Sequence, residues 1–208
     1  MQSSSGEPGE AQTVGQFALV AYIPDPLARF LDDLRLELTP GSKPHAHVTI
    51  LPPRPLDTDL SSTLRQIAEN IRGAAPFRIE LGEIEVFDAS HVIYLGLARG
   101  TRELRQLYGA LNCGCLRYTE PYPYHPHTTI AQNIGAEDAA AMASIARRRW
   151  AQYTGPRGFG VTVLSLVQHV TLSVWKDVAE LPLGVEPEPN GSVRLGSAER
   201  PTVVLGLA

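Results

Sequence analysis

His45-Ala46-His47-Val48-Thr49-Ile50 and, further along, His125-Pro126-His127-Thr128-Thr129-Ile130 are two copies of one pattern, identical at four of six positions and offset by 80 residues. Residues two apart share one face of a strand, so His45, His47 and Thr49 project together, as do His125, His127 and Thr129. A pattern returning at a fixed offset marks a duplicated unit. If the two copies pack about a pseudo-twofold axis, their histidine faces converge on one cleft.

The flanking sequence supports duplication. Phe17–Ile23 is a short apolar run stopped by Pro24 and Pro26, as expected of a strand. From Pro26 to Leu38, Leu27, Phe30, Leu31, Leu34 and Leu38 recur at spacings of three and four, which predicts an amphipathic helix. After a breaker-rich loop, Ala46–Leu51 reads as a strand ended by Pro52 and Pro53, and Asp59–Ile71 as a second helix. Phe77–Phe87 and His91–Leu97 read as a hairpin, Thr101–Leu111 as a helix, His127–Ala131 as a strand and Ala136–Gln152 as the last helix. Strands at Gly160–Val167 and Val170–Val174 close the series. The order predicts an α+β fold in which one β-α-β-α-β unit is used twice, in two lobes of about 80 residues each.

Residues 1–16 carry neither the basic nor the apolar region of a secretion signal and read as a flexible segment. Residues 17–184 form the folded domain, and 185–208 read as a tail in which Thr202–Leu205 is a candidate edge strand. No apolar run reaches the roughly 20 residues of a membrane helix. The expected protein is therefore cytoplasmic and monomeric, without a membrane partner. With 18 basic and 22 acidic residues and a net charge of −4, the chain has no field to gather long polyanions, which argues against coating of long nucleic acid. Cys113 and Cys115 are the only cysteines. Cys-Gly-Cys is half a metal site or a redox pair on one reading, and a set of small residues closing the preceding helix on the other; no second pair completes a zinc set.

Two facing imidazoles suit reaction at phosphorus. One takes a proton from the attacking oxygen and the other gives one to the departing oxygen, and histidine titrates near neutrality, so both forms coexist at pH 7. The threonine hydroxyls can donate to the non-bridging phosphoryl oxygens, where charge grows. The scheme requires no metal and no cofactor. Two His-x-His strands would also offer four nitrogen ligands to zinc or copper, but threonine at the next same-face position is a poor ligand. His45 and His125 either line the groove or make an outer hydrogen bond. Tyr124, with Tyr118 and Tyr122, either stacks a nucleobase or packs the lobe junction. His91 and His169 have no repeat partner and read as structural.

His47-Val-Thr49 and His127-Thr-Thr129 resemble the paired His-x-Thr motifs of the two-histidine (2H) phosphoesterase superfamily, in particular the RNA 2′,3′-cyclic phosphodiesterases, also called 2′-5′ RNA ligases. Tyr124-His-Pro-His-Thr-Thr-Ile-Ala131 is especially similar to their second motif. The resemblance spans about residues 17–184. It implies a bilobal fold with two antiparallel sheets facing a central groove and helices outside, and metal-free opening of a cyclic phosphate on an RNA end or small nucleotide. By the same resemblance His47 is the acid, His127 the base, and Thr49 and Thr129 hold the phosphate. RNA end joining in the same groove and non-catalytic nucleotide binding are the alternatives. One departure stands out: many members carry Arg just after the second motif, and this chain has Gln132. Lys43, Arg54 and the Arg147–Arg149 run are the candidate replacements for that charge.

Overall fold

The computed structural model describes residues 15–42, 45–171, 174–184 and 194–195. Lys43 and Thr202–Leu205 lie outside these. Among the described residues, nine strands and four α-helices follow in the order β1 (Phe17–Tyr22), α1 (Leu27–Leu38), β2 (His47–Arg54), α2 (Leu60–Asn70), β3 (Phe77–Val86), β4 (Ile93–Arg99), α3 (Thr101–Leu111), β5 (Thr128–Ala131), α4 (Ala136–Gln152), β6 (Gly158–Val161), β7 (Val163–Thr171), β8 (Val174–Pro182) and β9 (Arg194–Leu195). They form two antiparallel sheets, ordered β2-β1-β7-β8-β9 and β5-β4-β3-β6. The fold is the expected α+β arrangement, built from a duplicated unit.

The helices follow their apolar spacing. Leu27, Leu31 and Leu34 of α1 and Leu104, Leu107 and Leu111 of α3 are buried in one core with Val48, Ile50, Ile93 and Ile130 from the strands. Asp59 caps α2 by accepting from the Ser62 N–H at 2.9 Å. Trp150 locks α4 onto the second sheet through Nε1, which donates to the Gly82 carbonyl at 2.8 Å.

Three sequence expectations need correction. The first concerns β2, which does not stop at Pro52 but runs through both prolines to Arg54. It lies at the edge of its sheet, where a missing N–H breaks no ladder on the outer side, and a register shift absorbs the irregularity. The second concerns Gly160–Val167, read as one strand. It is the end of β6 and the start of β7, which belong to different sheets and change over at Thr162. Of the run expected at Val170–Val174, Val170 and Thr171 end β7 and Val174 opens β8, which continues to Pro182; Leu172 and Ser173 lie outside the described residues.

The third correction follows from the second. The lobes are not two contiguous halves, because one sheet takes β3 from the first half and the other takes β7, β8 and β9 from the second. β3, which follows α2, sits between β4 and β6, and β7, which follows α4, sits between β1 and β8. One core therefore runs beneath both sheets, and the lobes are stitched by crossing chain rather than by a surface contact alone. β2 and β5, the strands carrying the two motifs, lie at equivalent edges and approach each other. Within the segment read as a tail, Arg194–Leu195 pairs with β8.

Candidate functional site

Val48 and Ile50 point into the core, so alternation turns His47 and Thr49 to the opposite face of their sheet. Ile130 does the same for Thr129 on β5. The two histidines make the same bond. His47 Nδ1 donates to the His45 carbonyl at 2.7 Å, and His127 Nδ1 donates to the His125 carbonyl at 2.7 Å. A carbonyl oxygen only accepts, so each Nδ1 carries the proton and each Nε2 is the nitrogen left for chemistry. Neutral, that nitrogen is a base; protonated, it is an acid.

The charge on His127 contributes to lowering the His47 pKa. Burial is the larger cause. It pushes His47 down to about 3, with further lowering from Arg35, His45 and His127 against a raising contribution from the His45 carbonyl. His127 is lowered as well, first by burial and then by the charge of His125, with the His125 carbonyl opposing.

Duplication extends into a layer that the sequence pattern does not reveal. Tyr22, paired with His47 across β1 and β2, donates its hydroxyl to Asp177, and its ring meets His45 edge-on at 4.2 Å. Tyr94, paired with Thr129 across β4 and β5, donates to Glu85 at 3.0 Å, and its ring meets His125 edge-on at 5.5 Å. The tyrosines are offset by 72 residues rather than 80, and their acids come from β8 and β3, so no linear comparison aligns them. Phe87 stacks on Tyr94 at 4.0 Å and presents its ring to His125 and His127.

A second group missed from sequence lies on α1. Arg35 is 6% exposed, and its guanidinium donates to the Thr129 carbonyl at 2.7 Å. One turn earlier, burial raises Asp32 to about 6, with the Ala46 N–H and Arg35 pulling it back down. The available signal was a charged residue falling on the same helical stripe as Leu31 and Leu38.

Of the cations proposed from sequence, Arg54, Arg147 and Arg149 are occupied elsewhere. Arg54 is 1% exposed and binds Glu120, Asn112 Oδ1 and the Leu116 carbonyl. Arg147 donates to the Ile84 carbonyl, and Arg149 pairs with Glu37 across the helices. Tyr124 stacks on Tyr108, ring centres 4.3 Å apart and 6° from parallel, and its hydroxyl donates to the Thr49 carbonyl at 2.8 Å. His169 packs on Trp175, and His91 occupies the β3–β4 turn with φ 56°. Cys113 and Cys115 are free thiols in the turn after α3, where Cys115 Sγ donates to Gln66 Oε1 at 2.9 Å. Among the described residues, no three His, Cys, Asp or Glu side chains are grouped to hold a metal ion. Among them, too, no helix is long and apolar enough to cross a membrane.

Comparison with known proteins gives a consistent result. The sequence profile of the 2'-5' RNA ligase superfamily matches residues 23–178. BH1439 of Halalkalibacterium halodurans, a protein named for phosphoesterase activity, is 29% identical over 94 residues, which are 44% of this chain and 54% of that protein. This chain therefore matches about half the length of that curated relative. The fold is similar to the E. coli LigT crystal structure in apo form, with a TM-score of 0.58 at 18% identity over 81% of this chain and 97% of that one. It is similar also to E. coli LigT complexed with 3'-AMP, with a TM-score of 0.56 at 17% identity over 82% and 99% of the two chains. Kluyveromyces marxianus Usb1 shares it with a TM-score of 0.52 at 13% identity over 82% and 99%.

Proposed function

Because the chain belongs to the 2'-5' RNA ligase superfamily, we propose that it opens 2′,3′-cyclic phosphates, on RNA ends or small nucleotides, by proton transfer between His47 and His127. The observation that carries this reading is the matched pair of Nδ1–H bonds, which leaves two Nε2 atoms as the reactive nitrogens. The imidazole acting as base takes a proton from water as its oxygen bonds to phosphorus. The bond from phosphorus to one ribose oxygen breaks, and the other imidazole protonates that oxygen, leaving a phosphate monoester. Thr49 and Thr129 hold the non-bridging oxygens, and His45 and His125 border the phosphate.

The electrostatics favour one assignment of roles. His47 is held neutral down to about pH 3 and has a cation, Arg35, beside it, so it enters as the base. His127 has no arginine among the causes that lower it, only the charge of His125, and a bound phosphate anion raises it toward the protonated form the acid needs. This order is the reverse of the one the family resemblance implies. A substrate with one phosphate suits a chain of net charge −4, and the LigT complex with 3'-AMP is a precedent for a ligand of that size.

The test is incubation of the purified chain with 2′,3′-cyclic mononucleotides, the product read by 31P NMR, before and after dialysis against a chelator. Conversion to a monoester that survives dialysis is expected. Binding without conversion would establish a nucleotide-binding module, and activity restored only by zinc would establish a metal site. The same groove run in reverse would join RNA ends, which the superfamily's name makes worth testing; sizing the products from RNA halves decides it.

A further inference from the structure

β2 and β5 are edge strands that approach each other, so among the described residues the outward carbonyls of both have no neighbouring strand to bond. Two of those carbonyls belong to the motif threonines, and both are taken by side chains from outside their own sheet ladder. Arg35, on the helix joining β1 to β2, donates to the Thr129 carbonyl on β5 at 2.7 Å. Tyr124, on the chain leading into β5, donates to the Thr49 carbonyl on β2 at 2.8 Å. Each half of the duplicated unit therefore grips the motif of the other.

Both donors are themselves held. Arg35 is buried on α1, one turn from Asp32, which lies by the Ala46 N–H at the start of the first motif. Tyr124 lies flat on Tyr108, whose hydroxyl accepts from Asn112 Nδ2 at 3.1 Å. Asn112 Oδ1 accepts in turn from Arg54, the last residue of β2, at 2.9 Å. The chain of contacts thus runs from one motif strand to the other and back.

We propose that Arg35 and Tyr124 are positioning residues, a reciprocal pair of latches that fixes the separation of the His47 and His127 strands. Neither touches the substrate; each acts through a threonine backbone. This rests on the reading above that the two histidines act on one phosphate. Acid and base must both reach it at near-attack distance, and a misplacement of about 1 Å can cost on the order of 100-fold in rate. Loss of a latch therefore lowers kcat while leaving the groove able to bind.

The experiment compares Tyr124→Phe, Arg35→Met and the double variant of the full chain, with circular dichroism to verify folding. Tyr124→Phe keeps the stack on Tyr108 and removes only the hydroxyl. It should lose about 10-fold in kcat with KM changed by less than about twofold. Because both latches restrain the same coordinate, the double variant should lose more than the product of the single losses. An unchanged kcat in Tyr124→Phe overturns the proposal, as does a strictly multiplicative double variant. If Arg35→Met does not fold, Tyr124→Phe carries the test alone. The histidine imidazole 15N resonances give a readout independent of substrate: they should shift in Tyr124→Phe, and unmoved resonances overturn the latch. A wild-type chain inert toward every cyclic phosphate overturns the functional reading alone.

Discussion

His47 and His127 occupy the same place in two copies of one motif and bond their own chain in the same way, yet their surroundings differ. His47 is 6% exposed, with the Arg35 cation beside it, and is lowered to about 3. His127 is half-buried, faces the rings of Phe87 and Tyr94, and has only His125 as a charged neighbour among the causes of its shift. Duplication supplies two histidines with the same backbone bond, and divergence of the packing makes their surroundings unequal. A symmetric reaction path would need equal partners; a directional one is served by this difference.

The comparison breaks most sharply if either histidine is dispensable. His47→Ala and His127→Ala should each lower kcat/KM on a 2′,3′-cyclic nucleotide by about 100- to 10,000-fold, with near-native melting temperatures. Retained activity in either would leave the duplicated motif without its chemical role. The inequality is tested next, with a p-nitrophenyl phosphodiester whose leaving group needs no proton. On that substrate His127→Ala should recover to within about 10-fold of the parent, while His47→Ala should keep its full loss. Recovery in His47→Ala instead would exchange the roles.

A third test reads the inequality in stability. An unfolded chain protonates His47 near 6.5, and the folded one only near 3. In that window the unfolded state binds the extra proton, so stability falls as pH drops from about 6.5 toward 3. Asp32, raised to about 6 from 3.8, has the opposite sign: its contribution is present at low pH and is lost as pH rises through 6. Melting curves of His47→Gln against the parent isolate the histidine, and the variant should show the shallower descent; identical slopes would remove the claim that the folded site rejects the proton. The smallest effect is expected from the outer tyrosines. Tyr22→Phe and Tyr94→Phe each lose one hydrogen bond to a carboxylate and should change stability by about 1 kcal/mol and kcat by less than about 10-fold. A larger loss in Tyr94→Phe would show that the aromatic setting of His127 matters more than its exposure suggests.

Much of this was legible in advance, for physical reasons. Period-two spacing put each histidine and threonine on one face, and the apolar spacing of α1 and α3 gave their helices, because those patterns reflect burial of a single face. β2 was cut short because proline normally ends a strand, and only its edge position, set by the sheet order, allows it to continue. Arg35 was passed over because local sequence cannot say what lies opposite a helix stripe, and here it is the backbone of β5.

The sequence by itself determined that a unit is repeated, that each copy carries His-x-Thr at a strand, although β5 begins only at Thr128, and which reaction class such a pair can run. Only the tertiary structure decided which sheet each strand joins, which side chains bond the two motif strands and which neighbours lower each histidine. Those properties depend on desolvation and on contacts between residues far apart in the chain, here Arg35 with Thr129 and Tyr124 with Thr49. Neither quantity is a function of neighbouring residues alone.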